Sequence, residues 1–333
     1  MADLTVEKIV ELKTQGWTNR QIARELLGKE SRESWIRLQL KKAQANFNEI
    51  AGEAAERFME ENRGAKIWVY DTETSPTLSY HFGMFKQFIQ PQAIVMEPFM
   101  LTWSGKWYGE NHPVVDRKLP DYDTFGKDQH NDVELVCELR DYIDEADIII
   151  AHNARYDSGY VNQRCAFHKI DPPSHYHEID TLGIMKKCFT LPSNSLDFSC
   201  RYFALDRQKL VDHTMAMWLR CLGHNCTPEE QLQAYNEMSY YNHFDVLTLE
   251  DLYTTVRPFA KQHPNVGQYY NDGKMHCPKC GSTQLEKLEG KFVFTGVSAF
   301  EEFRCEECGC TCRSRKNQND KEKMGNILLP SGR

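Results

Sequence analysis

The chain has 333 residues, enough for two or three domains, and 41% of them are apolar, enough to fill a core in the largest. No apolar run approaches the ~20 residues that span a bilayer, and the opening MADLTVEKIVELK is amphipathic, unlike a signal peptide, so a soluble, intracellular protein is expected. The formal net charge of −8 does not advertise a nucleic-acid binder. It is uneven, however: residues 65–273 carry 18 basic against 29 acidic side chains, residues 1–64 carry 11 of each, and residues 274–333 carry 11 against 8.

Val6, Ile9, Val10 and Leu12 recur at near-helical spacing and predict a first helix that Gly16 can end. Thr18 is a good N-cap for a second, carrying Ile22, Ala23, Leu26 and Leu27. Gly28 allows a turn, and Ser31 can cap a third with Trp35, Ile36, Leu38 and Leu40. Three short helices with a tight turn before the last resemble the helix-turn-helix of resolvases and many transcription regulators. The resemblance implies that residues 1–45 bind DNA, with Arg32, Arg37, Lys41 and Lys42 on the third helix. A small bundle with a solvated charged face is the other reading. Residues 46–64 read as a linker helix.

From residue 65 the pattern alternates. KIWVYD predicts a strand, and Phe99 to Glu110 a hairpin turning at Ser104-Gly105. DVELVCELRDYIDEA predicts an amphipathic helix, and DIIIAHN a short strand covered on both faces. Helices are expected at Asp157–Ile170, at Ser195–Phe203, after Asp212 and at Glu237–Phe259. The sum is a mixed α/β domain over residues 65–260. The polar stretch 261–275, with Pro and Gly, reads as a linker.

Acids stand at the ends of these elements. In IWVYDTETSP, Asp71 and Glu73 are two apart and face the same side of a strand. Like charges that close repel unless a cation lies between them. Asp157 follows the strand DIIIAHN, and Asp245 sits on a helix one turn after Tyr241. The ordered set DTE, HNARYD and YNHFD resembles the motifs of the DEDD 3′–5′ exonucleases, within the DnaQ-like, ribonuclease H-fold superfamily. The Tyr-x-x-x-Asp form of the third motif matches the DEDDy branch, and HEIDTLGIMKK is similar to a segment those domains carry.

That resemblance implies a ribonuclease H-like mixed sheet flanked by helices and two Mg²⁺ or Mn²⁺ ions. Asp71 would bridge both ions, Glu73 and Asp245 would complete one site, and Asp157 would hold the second. Tyr241, with Glu73, would orient the attacking water, while Thr72, His152 and Asn153 would touch the substrate. Four carboxylates supply about the charge that two such ions require. The implied substrate is DNA with a single-stranded 3′ end, released as nucleoside 5′-monophosphates. The implied partner is a polymerase or another replication or repair protein, in a bacterial or phage-infected cytoplasm. The alternatives are an RNA 3′–5′ exonuclease of the same superfamily, or a non-catalytic DNA-binding or assembly protein.

Half of the twelve cysteines fall between Cys277 and Cys312. Two Cys-x-x-Cys knuckles, Cys277/Cys280 and Cys305/Cys308, suit one tetrahedral Zn²⁺. Cys310 and Cys312 remain alternative ligands. Residues 276–316 resemble a zinc ribbon, a small β unit whose folding energy comes from the metal. Residues 317–333 are polar and expected to be disordered.

Overall fold

The computed structural model describes residues 6–40, 64–83, 85–109, 111–207 and 214–331. Helices α1 (Val6–Thr14) and α2 (Asn19–Leu27) form where the apolar spacing predicts them. Thr18 and Gln21 close a capping box, with Gln21 N–H donating to Thr18 Oγ1 at 3.2 Å and Thr18 N–H to Gln21 Oε1 at 2.8 Å. Gly28 ends α2 in the left-handed conformation, at φ 65°. A short 3₁₀ turn, Glu30–Arg32, leads into α3, residues 33–40. Ile9, Leu12, Ile22, Ala23 and Ile36 make a small core between the three helices. Lys41, Lys42 and the expected linker helix up to residue 63 lie outside the described residues.

The next unit holds β1 (Ile67–Thr74), β2 (Leu78–Ser79), β3 (Ile94–Met96), β4 (Met100–Trp107) and β5 (Val115–Lys118). Then come α4 (Val133–Glu145), β6 (Ile148–Ala151), α5 (Ala154–Phe167), β7 (His177–Asp180) and α6 (Thr181–Cys188). Helices α7 (Leu196–Tyr202), α8 (Met215–Cys221) and α9 (Pro228–Val256) complete it. Five strands form one mixed sheet, ordered β5-β4-β1-β6-β7, antiparallel on the β5-β4-β1 side and parallel across β1-β6-β7. Helices cover both faces. This architecture is consistent with the ribonuclease H-like fold that the motifs imply.

Period-two alternation along β1 sorts its side chains between two cores. Trp68 and Tyr70 pack with Leu135, Leu139 and Val161, on the side of α4 and α5. Ile67 and Val69 pack with Val246 and Leu249 of α9. Asp71 and Glu73 continue the phase of Val69, and so turn toward α9. Thr72 continues the phase of Tyr70, and so turns toward α5.

The hairpin expected at Ser104-Gly105 is instead one continuous strand, β4, paired with β1 from Met100 to Trp107. Gly105 serves close approach and makes no turn: a Cβ there would collide with the Trp68 indole. The other large difference is α9, which starts nine residues before the expected Glu237. Thr227 caps it, with Glu230 closing a capping box and Pro228 in the first turn.

At the C-terminal end, β8 (Leu285–Thr295), β9 (Ser298–Cys305) and β10 (Thr311–Asn317) form a separate three-stranded antiparallel sheet. Beyond Asn317, where the sequence predicts no structure, Asn319 is buried and donates to Val297 O at 2.8 Å. A short helix, α10 (Lys321–Gly325), follows.

Candidate active site and cysteine cluster

Asp71, Glu73 and Asp245 each offer a carboxylate oxygen within 4.8 Å of the others. The first two stand at the end of β1, the third on α9, and the β1 alternation described above turns the pair toward that helix. Asp245 is only 3% exposed. Three carboxylates crowded so closely repel unless cations share them, and this donor set, all oxygen, suits Mg²⁺ or Mn²⁺.

Asp157 approaches from the other side of β1, on α5. Its Oδ1 accepts from the Thr72 N–H at 3.2 Å and the Thr72 hydroxyl at 2.7 Å. Thr72 thus ties the fourth acid to the strand that carries the first two, and its hydroxyl faces Asp157. Burial pushes the Asp157 carboxyl up to about 7, against the two Thr72 hydrogen bonds, which lower it. Glu178 on β7 raises it further and accepts from Ser158 Oγ at 2.6 Å.

Tyr241 lies one turn before Asp245 on α9 and is buried. Burial, then the charges of Asp245, Glu73 and Asp71, push its hydroxyl far above the ordinary tyrosine range. It therefore stays protonated and can only position or donate. Asn242 is a member of the site that the motifs did not single out. It is fully buried and donates from Nδ2 to Asp71 Oδ2 at 2.6 Å. The available signal was its spacing: three residues before Asp245, it shares that helix face.

His152 and Asn153 end β6, as expected, but both are held by protein groups. His152 Nδ1 lies 2.9 Å from Thr181 Oγ1, and Nε2 lies 3.0 Å from Asn194 O. Asn153 adopts a left-handed backbone, φ 75°, and donates its N–H to Asp180 Oδ1 at 2.9 Å. Asp180 also accepts from Leu182 N–H at 3.0 Å, so the segment after β7 clamps the start of α5.

Beside the acids runs an open groove of about 590 Å³, lined by Glu73, Pro76, Thr77, Tyr156, Met215 and Trp218. Thr74 Oγ1 and the Tyr156 hydroxyl, 2.8 Å apart, join its two walls. Its lining sets the Glu73 carboxylate beside the aromatic rings of Tyr156 and Trp218.

The second cluster is sulfur. Cys277, Cys280, Cys305 and Cys308 place their Sγ atoms within 4.8 Å of one another. Cys277 and Cys308 are 3.7 Å apart, and Cys280 and Cys305 are 3.5 Å apart. A tetrahedron with Zn–S bonds of ~2.3 Å has edges of about 3.8 Å, so the four thiols fit a zinc ion. Both knuckles are built alike. Gly281 N–H donates to Cys277 O and Gly309 N–H to Cys305 O, each at 2.9 Å, with both glycines at positive φ. Cys310 is also buried, 3.3 Å from Cys277, and belongs to the same sulfur core.

No protein-family model matches the chain. A stretch of 94 residues is 32% identical to the DNA polymerase III subunit epsilon of Buchnera aphidicola subsp. Schizaphis graminum. The match takes in 27% of this chain, and the chain spans 40% of that relative's length. Among the described residues, no helix is long and apolar enough to cross a membrane.

Proposed function

We propose that this protein is a divalent-metal-dependent 3′–5′ exonuclease of the DnaQ-like superfamily, acting on DNA with a single-stranded 3′ end. The observation that carries the proposal is the convergence of Asp71, Glu73 and Asp245, with Tyr241 one helical turn from Asp245. The partial likeness to a DNA polymerase subunit favours DNA over RNA and a replication or repair partner.

Asp71, Glu73 and Asp245 would hold the cations, with Asp157 serving the second. Bound divalent ions supply Lewis acidity for the phosphodiester displacement and charge stabilisation for the leaving oxygen. The chain's own groups then set the geometry. Asn242 fixes the rotamer of Asp71 through its 2.6 Å hydrogen bond, and Thr72 fixes Asp157. The Tyr241 hydroxyl, kept protonated by burial and by the neighbouring acids, holds the attacking water with Glu73. The groove beside Glu73 seats the terminal nucleotides against Tyr156 and Trp218. In the ribbon, Cys277, Cys280, Cys305 and Cys308 would bind one structural Zn²⁺.

The test is digestion of a 5′-labelled single strand with Mg²⁺ or Mn²⁺. Stepwise shortening, stopped by EDTA and nearly abolished by Asp71→Ala, is expected. Full-rate cleavage by Asp71→Ala would overturn the mechanism. Equal cutting of circular strands would make the protein an endonuclease, and preference for matched RNA would reassign the substrate.

A further inference from the structure

The segment between β1 and β4 spends little on the core. Tyr80 and Phe85 are 78% and 83% exposed, Phe88 is 87% exposed, and Phe82 is fully so. Burying one large apolar side chain is worth roughly 1.5–3 kcal/mol in folding, so four left in water mark an interaction surface. The segment is nevertheless anchored. Leu78 pairs with Met96 and Ser79 with Ile94 across β2 and β3, and Tyr80 N–H donates to Ala93 O at 2.9 Å. Gln87 Nε2 closes the tip on Phe85 O at 2.7 Å.

We propose that Tyr80, Phe82, Phe85 and Phe88 form a stacking platform for the bases of single-stranded nucleic acid entering the carboxylate groove. The inference rests on the exonuclease reading and adds a substrate-holding element outside the metal site. Two observations choose the occupant. The first is continuity: Pro76 and Thr77, which lead into β2, line the groove together with Glu73. The second is charge. The chain carries 48 acidic residues, yet none occurs between Glu73 and Glu97, where only Lys86 is charged and His81 can become so. A polyanion passing from the groove meets no repulsion there. Aromatic faces bind every base alike, which matches a nuclease without sequence preference.

The test uses the full chain in the Asp71→Ala background, which blocks cleavage. Anisotropy compares a labelled thymidine 20-mer with an abasic 20-mer of the same charge. The 20-mer with bases should bind at least ~10-fold tighter, about the effect of losing one stacked base. Joint replacement Tyr80→Ser, Phe82→Ser, Phe85→Ser and Phe88→Ser should reduce that preference to what Tyr156 and Trp218 supply in the groove. With the carboxylates intact, the same replacements should lower kcat/KM more on a 20-mer than on a trimer. A serine variant that keeps the wild-type preference for bases in full sinks the platform and leaves the exonuclease reading standing. A wild-type dimer in size-exclusion chromatography that the serine changes dissociate would reassign the face to self-association. A wild type that degrades no nucleic acid fails the exonuclease reading itself, and base-dependent binding still scores the platform separately.

Discussion

Tyr240 and Tyr241 are neighbours in sequence with different surroundings. Tyr240 is exposed and packs on Phe244, ring centroids 4.9 Å apart, while Tyr241 is buried among the acids. Helical geometry separates them: five residues before Asp245 is rotated by ~140° and four by only ~40°. Tyr241→Phe keeps the ring and removes the hydroxyl. The chemical step should slow by ~10- to 1,000-fold, the range of a lost transition-state hydrogen bond, whereas Tyr240→Phe should change little. Single-turnover rates at saturating Mg²⁺ check this, and the reverse order would contradict the assignment. The carboxylates are legible in sequence because three acid-bearing motifs stand together in order, whereas any one of these acids alone could as well cap a turn or a helix. Asn242 offered only its spacing from Asp245, which does not tell a buried amide from a surface one; what lies across from it, Asp71, does.

Among the elements, those with strong local signals appear where the sequence places them. Thr18 and Gly28 bound α2, and the apolar IIIA run becomes the buried β6. Two failures have physical causes. Gly105 read as a turn because nothing local announces the Trp68 indole that needs its bare backbone. The early start of α9 was announced by Thr227, Pro228 and Glu230, but its first turns carry no strong apolar stripe. The cysteine-bearing sheet and the mixed-sheet domain meet through the expected linker, which is locally structured. Val266 N–H donates to Pro278 O at 2.8 Å, and Tyr270 stacks on His276 at 4.0 Å. His263 Nδ1 lies 2.7 Å from Pro264 O, a pure acceptor, so the neutral ring donates there and accepts from the Tyr253 hydroxyl at Nε2, 2.9 Å away. Burial lowers this imidazole from 6.5 to about 4. The unfolded chain takes up its proton near pH 6.5. The stabilisation is therefore whole above pH 6.5 and is lost as pH falls to about 4, on the order of 3 kcal/mol. The raised Asp157 carboxyl acts in the opposite sense in both proteins, so the wild-type urea midpoint should lose ground to that of His263→Gln between pH 7 and pH 4. For the ribbon, metal analysis should find about one tightly held zinc per chain. Cys277→Ser or Cys305→Ser should release the zinc, with loss of amide-exchange protection confined to residues 276–316. Zinc-free purified protein would refute the site.

At the scale of the whole molecule, the N-terminal helices are fastened to the mixed-sheet domain, which the sequence could not reveal. Lys13 pairs with Glu145 at 2.5 Å, and Arg20 donates to Glu134 O at 3.2 Å. The centre of the contact is Glu33, the first residue of α3. It accepts from Arg140 of α4 at 2.9 Å and from Arg37 at 2.7 Å. Arg37, expected to face DNA, thus turns to Glu33 and to Asp171, 3.3 Å away, while Arg32 remains exposed. Arg140 is 2% exposed, with Asp141 also 3.1 Å from it, so the cation sits between two carboxylates supplied by different modules. Removing one partner of a buried pair typically costs 3–5 kcal/mol, because the other charge stays buried. Here Asp141 remains to Arg140, so Glu33→Gln should cost less, about 2 kcal/mol. Glu33→Gln should also leave Arg37 with the exposed Asp171 as its acidic partner. The expected outcome is a lower urea midpoint and faster proteolysis of residues 6–40, with the Mn²⁺-dependent rate on a short oligonucleotide close to wild type. If Glu33→Gln unfolds at the wild-type midpoint, the modules are held by their apolar contacts, and the ion pairs contribute nothing measurable. If its binding to long DNA strengthens as Arg37 is released from Glu33, α3 is a DNA-facing helix that Glu33 holds in check.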